Sequence, residues 1–167
     1  PTAERRVLPA STVVRLAAEA AVLGTCEIFL TGGEPFLRSD IAELVTSCAA
    51  AAPTIVLTNG MLFRGARLGW LDACPREGVT LQISVDSATS ALHDRHRGLG
   101  SHAAALDGIR TALDRGFRVR VAATLGPADH DQELERAGAP DLGHPGDLGG
   151  VEAVVGELHG DGLGGGK

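Results

Sequence analysis

"EIFLTGGEPFLRSDIAELVTSCAAAAPTIVLTNG", residues 27–60, reads as a strand, a loop, a helix and a second strand. "EIFLT" (27–31) reads as a short buried strand that breaks at Gly32-Gly33. Ser39 or Asp40 can then start a helix. Its apolar residues Ile41, Leu44, Val45, Cys48 and Ala49 recur at i, i+3, i+4, i+7 and i+8, one face of the helical period. Pro53 ends that helix, because the residue before a proline is pushed out of the α region. "TIVLT" (54–58) is a continuous, β-branched run closed by Asn59-Gly60, a turn signal. A helix between two strands is the crossover that parallel neighbours need, so this stretch predicts a parallel sheet.

The alternation continues on both sides. Ser11 can cap a helix with apolar Val13, Val14, Leu16, Ala17, Ala20, Ala21 and Leu23, stopped by Gly24. A weaker helical pattern covers 63–73, and "VTLQISVDS" (79–87) is a third strand. Ser101 can cap a helix with Leu106, Ile109 and Leu113 on one face, stopped by Gly116, and "FRVRVAATL" (117–125) is a fourth strand. No two-residue hairpin turn joins any pair of apolar runs. The expectation is an α/β fold with about four βα units. That is too few to close an eight-stranded barrel, and it suits a partial barrel or a doubly wound sheet. The unbroken apolar runs "IFL" and "IVL" predict strands covered on both faces. The alternating "FRVRV" predicts a strand near an edge or along a polar cavity.

Eleven of the chain's 23 glycines fall in residues 138–167. Ordering so much glycine costs entropy, so a flexible tail is expected there, with only 151–158 able to form a brief helix. The terminal "GLGGGK" lacks the preceding strand, the following helix and the Ser or Thr after Lys that a phosphate loop uses.

Composition narrows the function classes. With 44% apolar residues, 3% aromatics and no Tyr, the core must be built mainly from Ala, Val, Leu and Ile. The net charge of −6 argues against a nucleic-acid partner, whose surface is usually basic. No apolar run approaches the roughly 20 residues that span a bilayer, and "PTAERRVLPAS" has no signal-peptide hydrophobic region. Cys26, Cys48 and Cys74 lie 22 and 26 residues apart, an odd set that is no disulfide framework. A cytoplasmic setting with no membrane and no nucleic acid is the expectation. The chain starts at Pro1 without Met, which fits either removal of an initiator Met or a true N-terminus further upstream.

In parallel α/β folds the residues after each strand line the functional rim. The first strand delivers Thr31, Gly32, Gly33 and Glu34, and the second Thr58, Asn59 and Gly60. The third delivers Ser84, Asp86 and Ser87, and the fourth Thr124. These are small polar groups and carboxylates, without the Lys or Arg that a pyrophosphate would meet. Glu34 after two glycines suits a cation. Without Cβ atoms, Gly32 and Gly33 let a ligand ammonium approach the backbone carbonyls while the carboxylate supplies countercharge. Pro35 stiffens the loop behind it. The plainer alternative is a strand-to-helix turn with Glu34 in solvent. His93 and His96 could chelate a metal, but no third ligand is near and charged neighbours predict a solvated loop. The cysteines are too scattered for an iron–sulfur site, which draws several thiolates from one short loop. No metal ligands are therefore expected in this chain.

Three segments on consecutive strands, "EIFLTGGEPFLRSDIAELV", "VLTNGMLF" and "LQISVDSATSALHDRHRGLGSHAAALDGIRTALDRGFRVRVAATL", together resemble the core of a radical S-adenosylmethionine enzyme. The resemblance covers roughly residues 8–135 and is nearest the branch of molybdenum-cofactor cyclases and peptide-modifying enzymes with extra cluster domains. It implies a partial parallel (β/α) barrel, an incomplete TIM-like barrel, over residues 1–137, followed by the 138–167 tail. It implies that Gly32, Gly33 and Glu34 bind the methionine amino group of S-adenosyl-L-methionine, with Thr58 and Asn59 lining the same pocket. Ser84 and Asp86 would lie near the ribose or carboxylate, and Arg97 would meet a carboxylate of cofactor or substrate. The resemblance further implies a [4Fe-4S] cluster in the complete protein, held by a CxxxCxxC loop that this sequence lacks. A reductant such as flavodoxin or ferredoxin would feed it, and the substrate would be an unknown small molecule or peptide. The expectation is thus a piece of a radical enzyme that supplies the cofactor pocket for 5′-deoxyadenosyl radical chemistry. The alternative is a non-catalytic, cluster-free binding or scaffold relative. A metal-independent lyase finds no Lys or His at a strand end to support it.

Overall fold

The computed structural model describes residues 7–125 and 151–157. Helix α1 (Ala10–Val22) leads to strand β1 (Ile28–Leu30), a single 3-10 turn (Pro35–Leu37), α2 (Ile41–Ala51) and β2 (Thr54–Thr58). There follow α3 (Ala66–Ala73), β3 (Val79–Ser84), α4 (Ser90–Arg97), α5 (Ser101–Asp114), β4 (Arg118–Leu125) and β5 (Val151–Glu157). The flexible-tail expectation for 138–150 and 158–167, including "GLGGGK", lies outside the described residues.

All four strand pairings are parallel, in the order β1-β2-β3-β4-β5. Register carries Leu30, Val56, Leu81 and Val119 along one row of neighbours. Val56, Val79, Leu81, Ile83 and Val119 form the buried core with Ile41 and Val45 of α2, Leu71 of α3, and Ala105, Ile109 and Ala112 of α5. The residues between them on β3 and β4, Thr80, Gln82, Arg118 and Arg120, turn to the other face. An order that never reverses has no switch point of a doubly wound sheet, and one helix-covered face is the barrel arrangement. The fold is an open, partial parallel barrel.

Three local expectations change and a fourth is narrowed. Residues 151–157 are strand β5 rather than a helix. β4 sits between β3 and β5, so its alternation reflects a polar second face rather than an edge. β1 lies at one end of the described sheet, and Phe29 is 51% exposed, not covered on both sides. The stretch around "HDRH" is helix α4, with Leu92 and His93 buried, rather than a solvated loop.

The helix starts also differ from the simplest capping scheme. The Pro9 carbonyl, not the Ser11 hydroxyl, opens α1 by accepting from the Thr12 and Val13 amides at 3.0 and 3.2 Å. Asp40 stands at the N-cap of α2, but its carboxylate takes the Arg38 guanidinium at 2.8 and 2.6 Å. α5 lies close against the turn after β2. A Cβ on Gly108 would stand 2.1 Å from the Gly60 carbonyl oxygen, so only glycine lets this helix lie against the turn after β2. Gly60 itself has φ +71°, which the turn requires.

Candidate functional site

Parallel strands end on one rim, and the loops after β1, β2 and β3 bring the polar residues there. After β1 the chain bends at Gly32 and Gly33, is extended at Glu34 (φ −150°, ψ 114°) and then enters the 3-10 turn at Pro35. Proline has no N–H, so the Phe36 amide is the first that needs an acceptor. Glu34 Oε1 accepts it at 3.1 Å. The same oxygen accepts from Thr58 Oγ1 at 2.7 Å, and Oε2 accepts from the Asn59 amide at 2.8 Å. Phe36, fully buried and edge-on to Phe63 at 4.9 Å, anchors the turn.

Glu34 is therefore built into the junction of two strand ends and is not a solvent-facing turn residue. Its holders are fixed in turn. Thr58 Oγ1 accepts from the Gly60 amide at 3.2 Å, and Asn59 Oδ1 accepts from the Met61 amide at 2.8 Å. All three donors to Glu34 are neutral, so they orient its charge without cancelling it. A carboxylate offers about four acceptor positions, which leaves one open. Thr31, Gly32 and Gly33 are exposed beside it, and a Cβ at Gly32 would meet nothing within 4 Å. This open cradle beside a held carboxylate fits a ligand ammonium. A groove of about 720 Å³ runs from this loop along the open edge of β1, walled by α1 residues such as Val13, Leu16 and Ala20.

β3 brings a second carboxylate to the next position on the rim. Thr58 pairs with Ile83, so Ser84 and Asp86 lie just beyond the level of the Glu34 junction. Ser84 ends β3 opposite Ala122, half-buried on the face away from the helices. Asp86 is buried, and both its oxygens face Arg97: Nη2 donates to Oδ1 at 2.9 Å and Nε to Oδ2. The guanidinium expected to meet a ligand carboxylate thus meets another of the expected site residues.

Sequence reading missed what stands behind this pair. His93, 1% exposed, points its Nδ1 at the Asp86 amide, which donates to it at 3.1 Å. A backbone N–H can only donate, so the ring is neutral with its proton on Nε2. Burial pushes the His93 pKa down, with His102 and Arg97 acting the same way and Asp86 and Asp94 opposing. The His102 ring stands edge-on, 5.4 Å away between centroids. Asp94 then caps α5 from outside: its oxygens accept from the Gly100 amide (2.7 Å), the His102 amide (2.8 Å) and Ser101 Oγ (3.2 Å). These backbone donors hold the Asp94 carboxyl below the usual carboxylate range. Ser101 is thus a donor to the cap and not the cap itself. Thr89 before the helix and Gly98 after it were the available signals for α4.

Cys26 is exposed, whereas Cys48 and Cys74 are buried. Burial pushes both buried thiols up, Cys74 to about 11. Among the described residues no three His, Cys, Asp or Glu side chains group as a metal site, so they do not fit a [4Fe-4S] cluster. No helix among them is long and apolar enough to cross a membrane.

Comparison with known proteins agrees with this fold. Residues 2–138 match the radical SAM superfamily. The chain is 34% identical over 126 residues to GTP 3′,8-cyclase of Aeromonas hydrophila, covering 72% of this chain and 36% of that protein. It is 39% identical over 94 residues to PqqA peptide cyclase of Methylobacterium nodulans, covering 55% of this chain and 24% of that one. The chain therefore spans only about a quarter to a third of these relatives' length. In three dimensions it resembles Streptococcus suis SuiB bound to S-adenosylmethionine, with a TM-score of 0.63 at 21% identity over 80% of this chain and 31% of that chain.

Proposed function

The chain belongs to the radical SAM superfamily, and from that premise we propose that its strand-end rim is the S-adenosylmethionine pocket of a radical enzyme. The superfamily uses S-adenosylmethionine with a [4Fe-4S] cluster, which together supply a 5′-deoxyadenosyl radical. The observation that carries the proposal is Glu34, a carboxylate oriented by three neutral donors beside the open Gly32-Gly33 loop. In this reading Glu34 and the loop carbonyls receive the methionine ammonium, while Thr58 and Asn59 keep the carboxylate aimed. Ser84 and Asp86 serve the ribose or carboxylate end, and Arg97 holds the Asp86 carboxylate in place beside them.

The cluster's thiolates do not come from the described residues, so we assign them to polypeptide outside these 167 residues. The open β1 edge and its groove beside the Gly32-Gly33 loop leave room for that polypeptide. The relatives include a nucleotide cyclase and a peptide cyclase, which supports a small-molecule or peptide substrate; a flavodoxin or ferredoxin would be the reductant. The same lack of ligands favours a second reading, a cluster-free S-adenosylmethionine-binding relative. A CxxxCxxC motif encoded just upstream of Pro1 would decide for the enzyme.

Two measurements test the pocket. Titration calorimetry with S-adenosylmethionine should detect weak binding that drops about tenfold or more in Glu34→Ala, the loss expected for one charge-assisted hydrogen bond. Equal affinities would remove Glu34 from the site. Anaerobic reconstitution of the 167-residue chain should leave it without iron and sulfide, and a near-stoichiometric cluster would refute the assignment of its ligands elsewhere.

A further inference from the structure

The geometry points to His93 as a positioning residue of the cofactor rim, whose neutral imidazole fixes the backbone at Asp86 and so sets where the Asp86–Arg97 pair stands. This rests on the reading of Asp86 as part of the S-adenosylmethionine pocket. His93 lies on α4, yet its ring reaches back to the end of β3 and accepts the first amide beyond Val85. The Val85 amide is still tied to the sheet through the Ala122 carbonyl at 2.9 Å. The His93 contact therefore supports the chain at the residue just beyond that tie. The carboxylate that Arg97 grips hangs from that same residue.

The arrangement works only with a lone pair on Nδ1. Protonation would set N–H against N–H inside a dry site. The ring has little room to turn away, since it is almost fully buried and the His102 ring stands against it. The part that can give is the loop carrying Asp86. Among the described residues, the charged and titratable groups around the ring are Asp86 from the loop after β3, Asp94 and Arg97 from α4 itself, and His102 from α5. Burial dominates among them and depresses the pKa. The folded protein thus binds fewer protons here than the unfolded chain. The stabilisation is complete above the ordinary histidine pKa and is lost as pH falls through the lower folded value.

The test takes the full chain from about pH 8 down through the ordinary histidine pKa of about 6.5 and on below it, because the buried His93 titrates lower. Wild type is compared with His93→Asn, whose Oδ1 can take the place of Nδ1 without titrating, and with His93→Gln, whose acceptor lies one bond further out. Amide NMR follows the Asp86 resonance, and calorimetry follows S-adenosylmethionine. The Asp86 amide of wild type should shift as His93 protonates, and affinity should fall about fivefold over the same range, the worth of one neutral hydrogen bond. His93→Asn should bind like wild type at the alkaline end and lose the acid fall. His93→Gln should bind more weakly at every pH. An acid fall unchanged in His93→Asn, or an Asp86 amide that ignores His93, would overturn the inference. Wild type that binds no S-adenosylmethionine at any pH would overturn the reading of the rim instead, and the amide titration would still decide whether His93 holds Asp86.

Discussion

Glu34 and Asp86 are carboxylates at the ends of sheet strands on one rim, and they are held in opposite ways. Glu34 takes three neutral donors, two of them from the end of β2, and keeps its negative charge. Asp86 takes a guanidinium and has its charge cancelled, in a buried site braced by His93. The residue type is nearly the same, but the first arrangement leaves a charge to offer and the second makes a strut. What a strand-end carboxylate can do is therefore set by its donors. The contrast also divides the labour of the proposed pocket, with attraction for a cation on the β1–β2 side and shape on the β3–α4 side.

The comparison can be broken at once through α5. Its middle presses on Gly60 behind the Glu34 junction, and its N-terminus is held by Asp94 beside the Asp86 junction. Gly108→Ala should destabilise the protein by about 3 kcal/mol, the upper range for overpacking a close contact. An unchanged urea midpoint would show that α5 does not lock the two sides together. Arg97→Met turns Asp86 into an unbalanced carboxylate like Glu34, but a buried one. Because Arg97 is a third exposed, the cost should be about 2 kcal/mol, below that of a fully buried broken pair. The double variant Asp86→Asn/Arg97→Met should lose less than the sum of the single losses, and strict additivity in denaturation would dismiss the pair as a strut. Thr58→Val removes one of Glu34's three donors and the acceptor of the Gly60 amide. It should cost about 1 kcal/mol of stability in the same unfolding measurement, the worth of a net hydrogen bond.

Much of this was legible in the sequence because apolar periodicity and punctuation agree. "IVL" followed by Asn-Gly, and Ile41, Leu44, Val45 and Cys48 on one stripe, became β2 and the buried face of α2. The first rim junction was legible only through the resemblance: Gly-Gly-Glu-Pro alone left a plain turn open, and the three matched segments together put Thr58 and Asn59 beside Glu34. The second was not. α4 carries only two buried residues, Leu92 and His93, so it has no stripe for periodicity to find. The caps of α5 belong to Asp94 on the preceding helix, which short-range capping rules do not reach. Strand β5 mixes Val151, Val154 and Val155 with Glu152, Gly156 and Glu157, a composition with no clear strand signal, and it lies in register beside β4.

The Asp94 bridge has a consequence for how the rim comes together. Its partners lie six to eight residues away along the chain. Glu34's partners Thr58 and Asn59 lie 24 and 25 residues away. By loop-closure entropy alone the longer link costs about 1 kcal/mol more, and it also needs β1, α2 and β2 in register before it can form. The α4–α5 corner can close as a local event, whereas the carboxylate that keeps its charge reaches its position only when the sheet around it is complete.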